Sequence, residues 1–347
     1  VLDLDVRSNQ PFICGQHAIV YNGELYNYKK IRKDLIEHGI KFKTDSDTEV
    51  ILQSYIFWGE ACLSRFNGMF SFVIYNKINN CIFFARDRFG QKPLTYNLTK
   101  SGIIIGSLVD QVVYKSENEI DSESLEFFFR YKYISGVQSI YKGVKKLDPG
   151  TYGLYDQSSN QLIIKKYWST FDQKNSEINN NDSYFEKLEN LLESSVSYRM
   201  QSDVPLGVFL SGGVDSSLIS YYAQKLSPKP LKTFSIGFDD SRYDESFYAD
   251  EVAKRLGTEH NSIQMGPRDL LDTIPDLIEA FDEPFADPSA LPTMLLSKMT
   301  KNHVTVALSG DGGDEMFLGY NRYEKFRFYK KLFLMPYILR CKASKLL

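Results

Sequence analysis

The chain has 347 residues, 43% of them hydrophobic and 24% charged, the balance of a folded globular protein of about two domains. A formal net charge of -3 does not mark the surface as a binder of nucleic acid or an anionic membrane, and no apolar run approaches the roughly 20 residues that span a bilayer. Cys14, Cys62, Cys81 and Cys341 form no C-x-x-C pair, which argues against a disulfide scaffold or structural zinc and fits a reducing cytoplasm.

Residues 1–168 read as strand-rich. Apolar runs recur at His17–Tyr21, Met69–Tyr75, Cys81–Ala85 and Gly102–Gly106, and Tyr75–Asn80 reads as a hairpin loop. Two helices are expected among them. One covers about Tyr26–His38, with Tyr28, Ile31 and Leu35 on one face and Gly39 as its stop. The other opens at the Ser46-x-x-Glu49 capping box. This mixture predicts an α+β domain with antiparallel sheets. The polar, Asn-rich stretch 169–182 reads as a linker, and a second capping box, Ser183-x-x-Glu186, is expected to open a helix.

From residue 183 to 347 the pattern alternates. Val208–Leu210, Thr233–Phe238, Ser262–Gln264 and Val304–Leu308 read as buried strands, with helices at Ser217–Leu226 and Glu245–Leu256. Such alternation predicts a parallel, doubly wound α/β sheet. Lys330–Leu347 reads as an amphipathic helix.

Chemistry concentrates in two bends. Leu210-Ser211-Gly212-Gly213-Val214-Asp215-Ser216-Ser217 follows one strand and precedes a helix. Its glycines allow close backbone approach, and the helix start favours an anion, so the bend suits phosphate. It is neither a Walker loop nor a dinucleotide fingerprint. Asp215 makes sense beside phosphate only when Mg²⁺ bridges them. The second bend, Ser309-Gly310-Asp311-Gly312-Gly313-Asp314-Glu315, also follows a strand, and its three acids read alone either as a solvated acidic turn or as a cation site. Together the bends predict one site, with Asp215 and Asp314 clamping Mg²⁺ while pyrophosphate leaves.

These motifs resemble the glutamine-hydrolysing asparagine synthetase family. Ser211–Ser217 is similar to the pyrophosphate loop of ATP pyrophosphatases, and Ser309–Tyr320, Phe281–Ser289 and Thr233–Phe238 are similar to segments of that family's synthetase domain. Tyr21–Asn27, Ser46–Val50, Phe66–Phe70 and Ala85–Leu94 resemble its glutaminase domain. The resemblance implies an N-terminal, Ntn-hydrolase-like glutaminase domain of layered antiparallel sheets over 1–168 and an ATP-pyrophosphatase-type synthetase domain over 183–347, each incomplete. It implies a ligase that adenylates aspartate with ATP and Mg²⁺, then displaces AMP with ammonia from glutamine. Its partners would be those small molecules, with no nucleic acid or membrane, a cytoplasmic setting, and a homodimer left open. A sugar acid in place of aspartate, or an inactive remnant, are the alternatives.

Carried over by position, Asn22 and Gly23 resemble the oxyanion-stabilising pair, although Asn-Gly also favours a hairpin turn. Glu24 and Asp47 resemble ligands of the glutamine α-amino group, although Asp47 also suits a helix first turn. Leu210, Ser211, Gly212, Gly213, Asp215, Ser216, Ser217, Ile236, Ser309 and Gly310 resemble ATP contacts. Asp215 and Asp314 resemble the metal ligands, and Asp311 an acid implicated in adenylate formation. Asp282, Glu283 and Asp287 resemble an acceptor-side loop. The family's N-terminal cysteine nucleophile has no counterpart after Val1, so the chain as written is expected to lack glutaminase activity. Leu108 stands where the family often has Glu.

Overall fold

The computed structural model describes residues 5–114, 119–172, 181–242, 244–334, 336–337 and 340. In chain order the elements are β1 (Phe12–Cys14), β2 (His17–Glu24), α1 (Tyr28–Glu37), α2 (Asp47–Trp58), β3 (Met69–Asn76), β4 (Cys81–Arg86), β5 (Thr95–Thr99), β6 (Gly102–Gly106), α3 (Ser122–Tyr131), β7 (Val144–Lys146), β8 (Thr151–Asp156), β9 (Gln161–Lys166) and α4 (Asn181–Arg199). They continue as β10 (Leu206–Phe209), α5 (Val214–Leu226), β11 (Lys232–Phe238), α6 (Ser246–Leu256), β12 (Glu259–Met265), α7 (Pro267–Ala280), α8 (Ala290–Thr300), β13 (Val306–Leu308), α9 (Gly313–Phe317) and α10 (Asn321–Phe333). The chain forms two compact units, Val1–Pro205 with Gly266–Val306, and Leu206–Met265 with Ala307–Leu347.

The first unit holds a six-stranded sheet in the order β1-β2-β3-β4-β8-β9 and a three-stranded sheet in the order β6-β5-β7. Among the described residues the strand pairings of both sheets are antiparallel, as the sequence predicts. The apolar runs of β3 and β4, interrupted in β3 by Ser71 alone before Asn76, have a simple cause: both faces of this sheet are covered. Phe72, Ile74, Phe83 and Ala85 pack with Ile31 and Leu35 of α1 and Val50 and Ile51 of α2. Val73, Ile82 and Phe84 alternate to the other face and pack with Tyr96, Ile103 and Ile105 of the smaller sheet.

Several local expectations need correction. Asn22 and Gly23 lie inside β2, paired with Ser71 and Phe70 of β3, and not in a hairpin turn. Ser46 does cap α2, accepting from the Thr48 N–H at 3.1 Å, but Glu49 does not complete a capping box. Its carboxylate reaches the Thr44 N–H and hydroxyl, each at 2.7 Å, and the Lys43 N–H at 3.0 Å, because the preceding turn offers these three donors together. A third helix, α3, stands beside the two expected ones, capped by Asp121, which accepts from the Ser124 N–H. The α4 helix starts at Asn181, ahead of Ser183, within the stretch read as a linker; residues 173–180 of that stretch lie outside the described residues. The terminal helix expected from Lys330 overlaps α10 as far as Phe333; residues 335, 338–339 and 341–347 lie outside the described residues.

In the second unit the sheet order is β12-β11-β10-β13. β10, β11 and β12 pair in parallel, as alternating strands and helices require. The order runs outward from β10 to β12 and then reverses to β13. In such sheets the reversal opens a crevice beyond the strand ends, where ligands bind. The two glycine bends follow β10 and β13, the strands that flank this reversal. Leu210, Val252, Ala249 and Ala253 pack α6 beneath the first bend.

Candidate active site

The first bend is shaped by its serines. Ser216 Oγ, buried in the first turn of α5, accepts from the Ser211 N–H at 3.2 Å and lies 2.9 Å from Ser211 Oγ. Ser211 Oγ in turn accepts from the Gly213 N–H at 3.2 Å. Gly212 has φ +82°, and a Cβ there would lie 2.6 Å from Tyr248 Cβ, so only glycine fits between the bend and α6. Ser217 Oγ is buried and has no hydrogen-bond partner among the described residues. An orphaned hydroxyl at a helix start is a ready donor for an anionic ligand.

The second bend presses on the first. A Cβ on Gly310 would lie 2.9 Å from the Ser216 nitrogen, and one on Gly313 would overlap the Asp215 carboxylate. The absence of side chains at Gly310 and Gly313 is therefore what lets the two bends meet. Asp215, half-buried, lies against Gly313, the residue before Asp314. Asp311 is exposed and accepts from Ser309 Oγ at 2.9 Å, and Glu315 accepts from the Tyr320 hydroxyl at 2.9 Å. Among the described residues no three His, Cys, Asp or Glu side chains are grouped to hold a metal. Two carboxylates suffice for Mg²⁺ when substrate phosphates and water complete its shell. Leu210 is buried just past β10, its N–H donating to Phe234 O at 2.8 Å, and Ile236 lies half-buried in β11.

In the first unit, Asn22 is exposed while Gly23 and Glu24 are half-buried. Gly23 has φ +154°, and a Cβ on it would lie 2.7 Å from Phe70 Cα; a Cβ on Gly68 would lie 2.9 Å from Leu25 Cα. The two Asn-Gly motifs thus owe their glycines to one close crossing of β2 and the start of β3. Asp47 is buried at the start of α2, accepting from the Tyr21 hydroxyl and the Leu25 N–H, both at 2.9 Å. Burial pushes its carboxyl up from 3.8 to about 6, against the pull of those two donors. The native state then holds a proton that the unfolded chain releases between about pH 4 and 6, so stability is full below this window and falls as pH rises through it. Asp47→Asn is expected to flatten that slope in urea unfolding followed across pH; an unchanged slope would count against the buried proton.

Sequence reasoning gave no role to Asp87, yet it is fully buried and accepts from the N–H groups of Phe70, Phe89, Gln91 and Lys92 at 2.9–3.2 Å. Arg86 beside it donates to the carbonyls of Lys92, Leu147 and Gly90. Together they fix the loop 87–94. The Ala85–Leu94 motif held that signal, since a buried Asp followed by a glycine turn marks a backbone-capping acid. Asp282, Glu283 and Asp287 lie in the first unit, where their carboxylates bond to Val109, to Lys146 and Ile140, and to Ser289 respectively.

Comparison with known proteins agrees with this geometry. A glutamine amidotransferase domain model matches residues 1–168, and an asparagine synthase model matches residues 187–345. The chain is 38% identical over 309 residues to asparagine synthetase (glutamine-hydrolyzing) 1 of Bacillus subtilis, covering 88% of this chain and 48% of that protein. It is 38% identical over 338 residues to putative asparagine synthetase (glutamine-hydrolyzing) 2 of Methanocaldococcus jannaschii, covering 94% and 64%. A putative asparagine synthetase (glutamine-hydrolyzing) of Mycobacterium tuberculosis is 32% identical over 358 residues, covering 99% and 55%. The chain spans about half the length of the curated relatives it matches. No helix among the described residues is long and apolar enough to cross a membrane. With an amidotransferase match over its first half, a synthase match over its second and these relatives across most of its length, the chain joins a glutamine amidotransferase domain to an asparagine synthase domain and is similar to glutamine-hydrolysing asparagine synthetases.

Proposed function

We propose that this chain serves a glutamine-dependent amidotransferase that activates a carboxylate with ATP, with aspartate as acceptor, asparagine as product, and AMP, pyrophosphate and glutamate released. The observation that carries the reading is the meeting of the two bends through Gly310 and Gly313. It gathers an orphaned serine hydroxyl, a helix start and a carboxylate at one place on the sheet. Ser211, Gly212, Gly213, Ser216 and Ser217 would cradle the triphosphate tail, with Ser309 and Gly310 beside it. Leu210 and Ile236 would border the adenine. Asp215 and Asp314 would hold Mg²⁺, whose contribution when bound is to neutralise charge on the departing pyrophosphate. Asp311 would orient the acceptor for attack at the α-phosphate.

In the amidotransferase half, the Asn22 amide and the Gly23 N–H would stabilise the oxyanion of glutamine hydrolysis, while Glu24 and Asp47 would bind the substrate ammonium. An ammonium ligand favours the charged form of Asp47, so its binding would strengthen as pH rises through about 6. The test is pyrophosphate release from ATP and Mg²⁺ in the presence of aspartate and ammonium. Release that depends on aspartate supports the reading. Release indifferent to any carboxylate, or none at all, opposes it.

A further inference from the structure

The segment between α7 and α8 is tied to the antiparallel part of the first unit at three points. Asp282 accepts from the Val109 N–H. Glu283 accepts from Lys146 Nζ at 2.5 Å and from the Ile140 N–H at 3.3 Å. The Ala286 N–H donates to Lys132 O at 2.9 Å. Lys146 sits at the end of β7 and also donates to Ile134 O at 2.9 Å. The Lys146 and Glu283 side chains are only 20% and 17% exposed. Exposed ion pairs contribute little, but a pair largely withdrawn from water and satisfied on both sides leaves an uncompensated charge when one partner is removed. A cavity of about 140 Å³ lies against this contact, lined by Thr95, Leu108, Lys146, Asp282 and Glu283 among others. Along the chain, α8 starts at Ala290 and leads through residues 301–305 into β13 and the second glycine bend.

We infer that Lys146 is a positioning residue for the ATP-dependent step. It lies in the span matched by the amidotransferase model, whereas its partner Glu283 lies in the span matched by the asparagine synthase model. Through Glu283 it holds residues 281–287 in register, ahead of α8 and within the span matched by the asparagine synthase model. Asp282 and Glu283 then act by fixing this segment, with their oxygens already engaged by Val109, Ile140 and Lys146. The inference rests on the proposed function.

The test uses the full-length protein with ammonium in place of glutamine, which bypasses glutamine hydrolysis. Lys146→Met is expected to lower kcat/KM for aspartate by about tenfold or more, as misplacement of a substrate-positioning segment does. KM for ATP should stay within about twofold, since uniform loss would mean general damage. Lys146→Arg should keep most activity, and the exchanged pair Lys146→Glu with Glu283→Lys should recover it. An unchanged aspartate profile in Lys146→Met overturns the inference. So does an equal loss for ATP and aspartate with no recovery in the exchanged pair. A silent wild type contradicts the proposed function instead. Hydrogen exchange at the Ala286 amide then decides the latch alone: faster exchange in Lys146→Met supports it, and unchanged exchange removes it.

Discussion

Replacing Asp215 with Asn is expected to cut pyrophosphate release by on the order of 100- to 1000-fold, the usual scale for losing one electrostatic contact to a charge-developing transition state. Asn keeps the size of the side chain, so contact with Gly313 and the start of α5 should survive. What is lost is the negative charge. A neutral amide oxygen binds Mg²⁺ far less well than a carboxylate. The loss should therefore fall on metal dependence, with more Mg²⁺ needed for half-maximal rate, while the thermal unfolding midpoint stays near that of the parent. Gly313→Ala provides a steric counterpart. Its methyl would displace the Asp215 carboxylate without removing any charge, and should reduce the rate through position alone. Undiminished turnover in both variants would separate the bends from the chemistry.

Gly23→Ala should be among the most destabilising single changes in the first unit, costing about 3 kcal/mol or more. Two penalties combine. At φ +154° an L side chain is strained, and its Cβ would lie 2.7 Å from Phe70 Cα on the adjacent strand. Backbone cannot give way there without breaking the eight-residue register of β2 with β3, whose Ile19, Tyr21, Phe70, Phe72 and Ile74 belong to one buried apolar cluster. The two tryptophans, Trp58 and Trp168, both belong to the first unit, so their fluorescence reports its unfolding in urea. A midpoint close to that of the parent chain would show that the strands can separate at this point at little cost.

Much of this was legible in the chain because period and punctuation agree. β3 and β4 declare themselves through largely apolar runs separated by the loop from Asn76 to Asn80, and both faces are covered. The first bend was legible as a bend because two glycines and three serines between an apolar strand and a helix punctuate the chain, and it lies between β10 and α5. Helix α3 was not, since its aromatic run Phe127-Phe128-Phe129 reads equally as a strand and only Ser124 of the helix is buried. The partner of Glu49 was hidden because it lies five residues back, where a capping box would look three residues back. The resemblance set Asp282 and Glu283 in an acceptor-side loop, and acids in a Pro-rich loop carry no mark of the distant bonds they also make. Their partners stand 173 and 137 residues away, at separations that no local pattern encodes.

The two bends forming a single nucleotide site is open to direct measurement. Manganese can replace Mg²⁺ beside ATP, and its unpaired electrons broaden the signals of nearby amides. Titration of the isotope-labelled chain with Mn²⁺ and ATP should broaden the amides of Gly212–Ser217 and Gly310–Asp314 together, and neither set with ATP alone. Broadening of one bend while the other stays sharp at saturation would mean that no shared metal lies between Asp215 and Asp314.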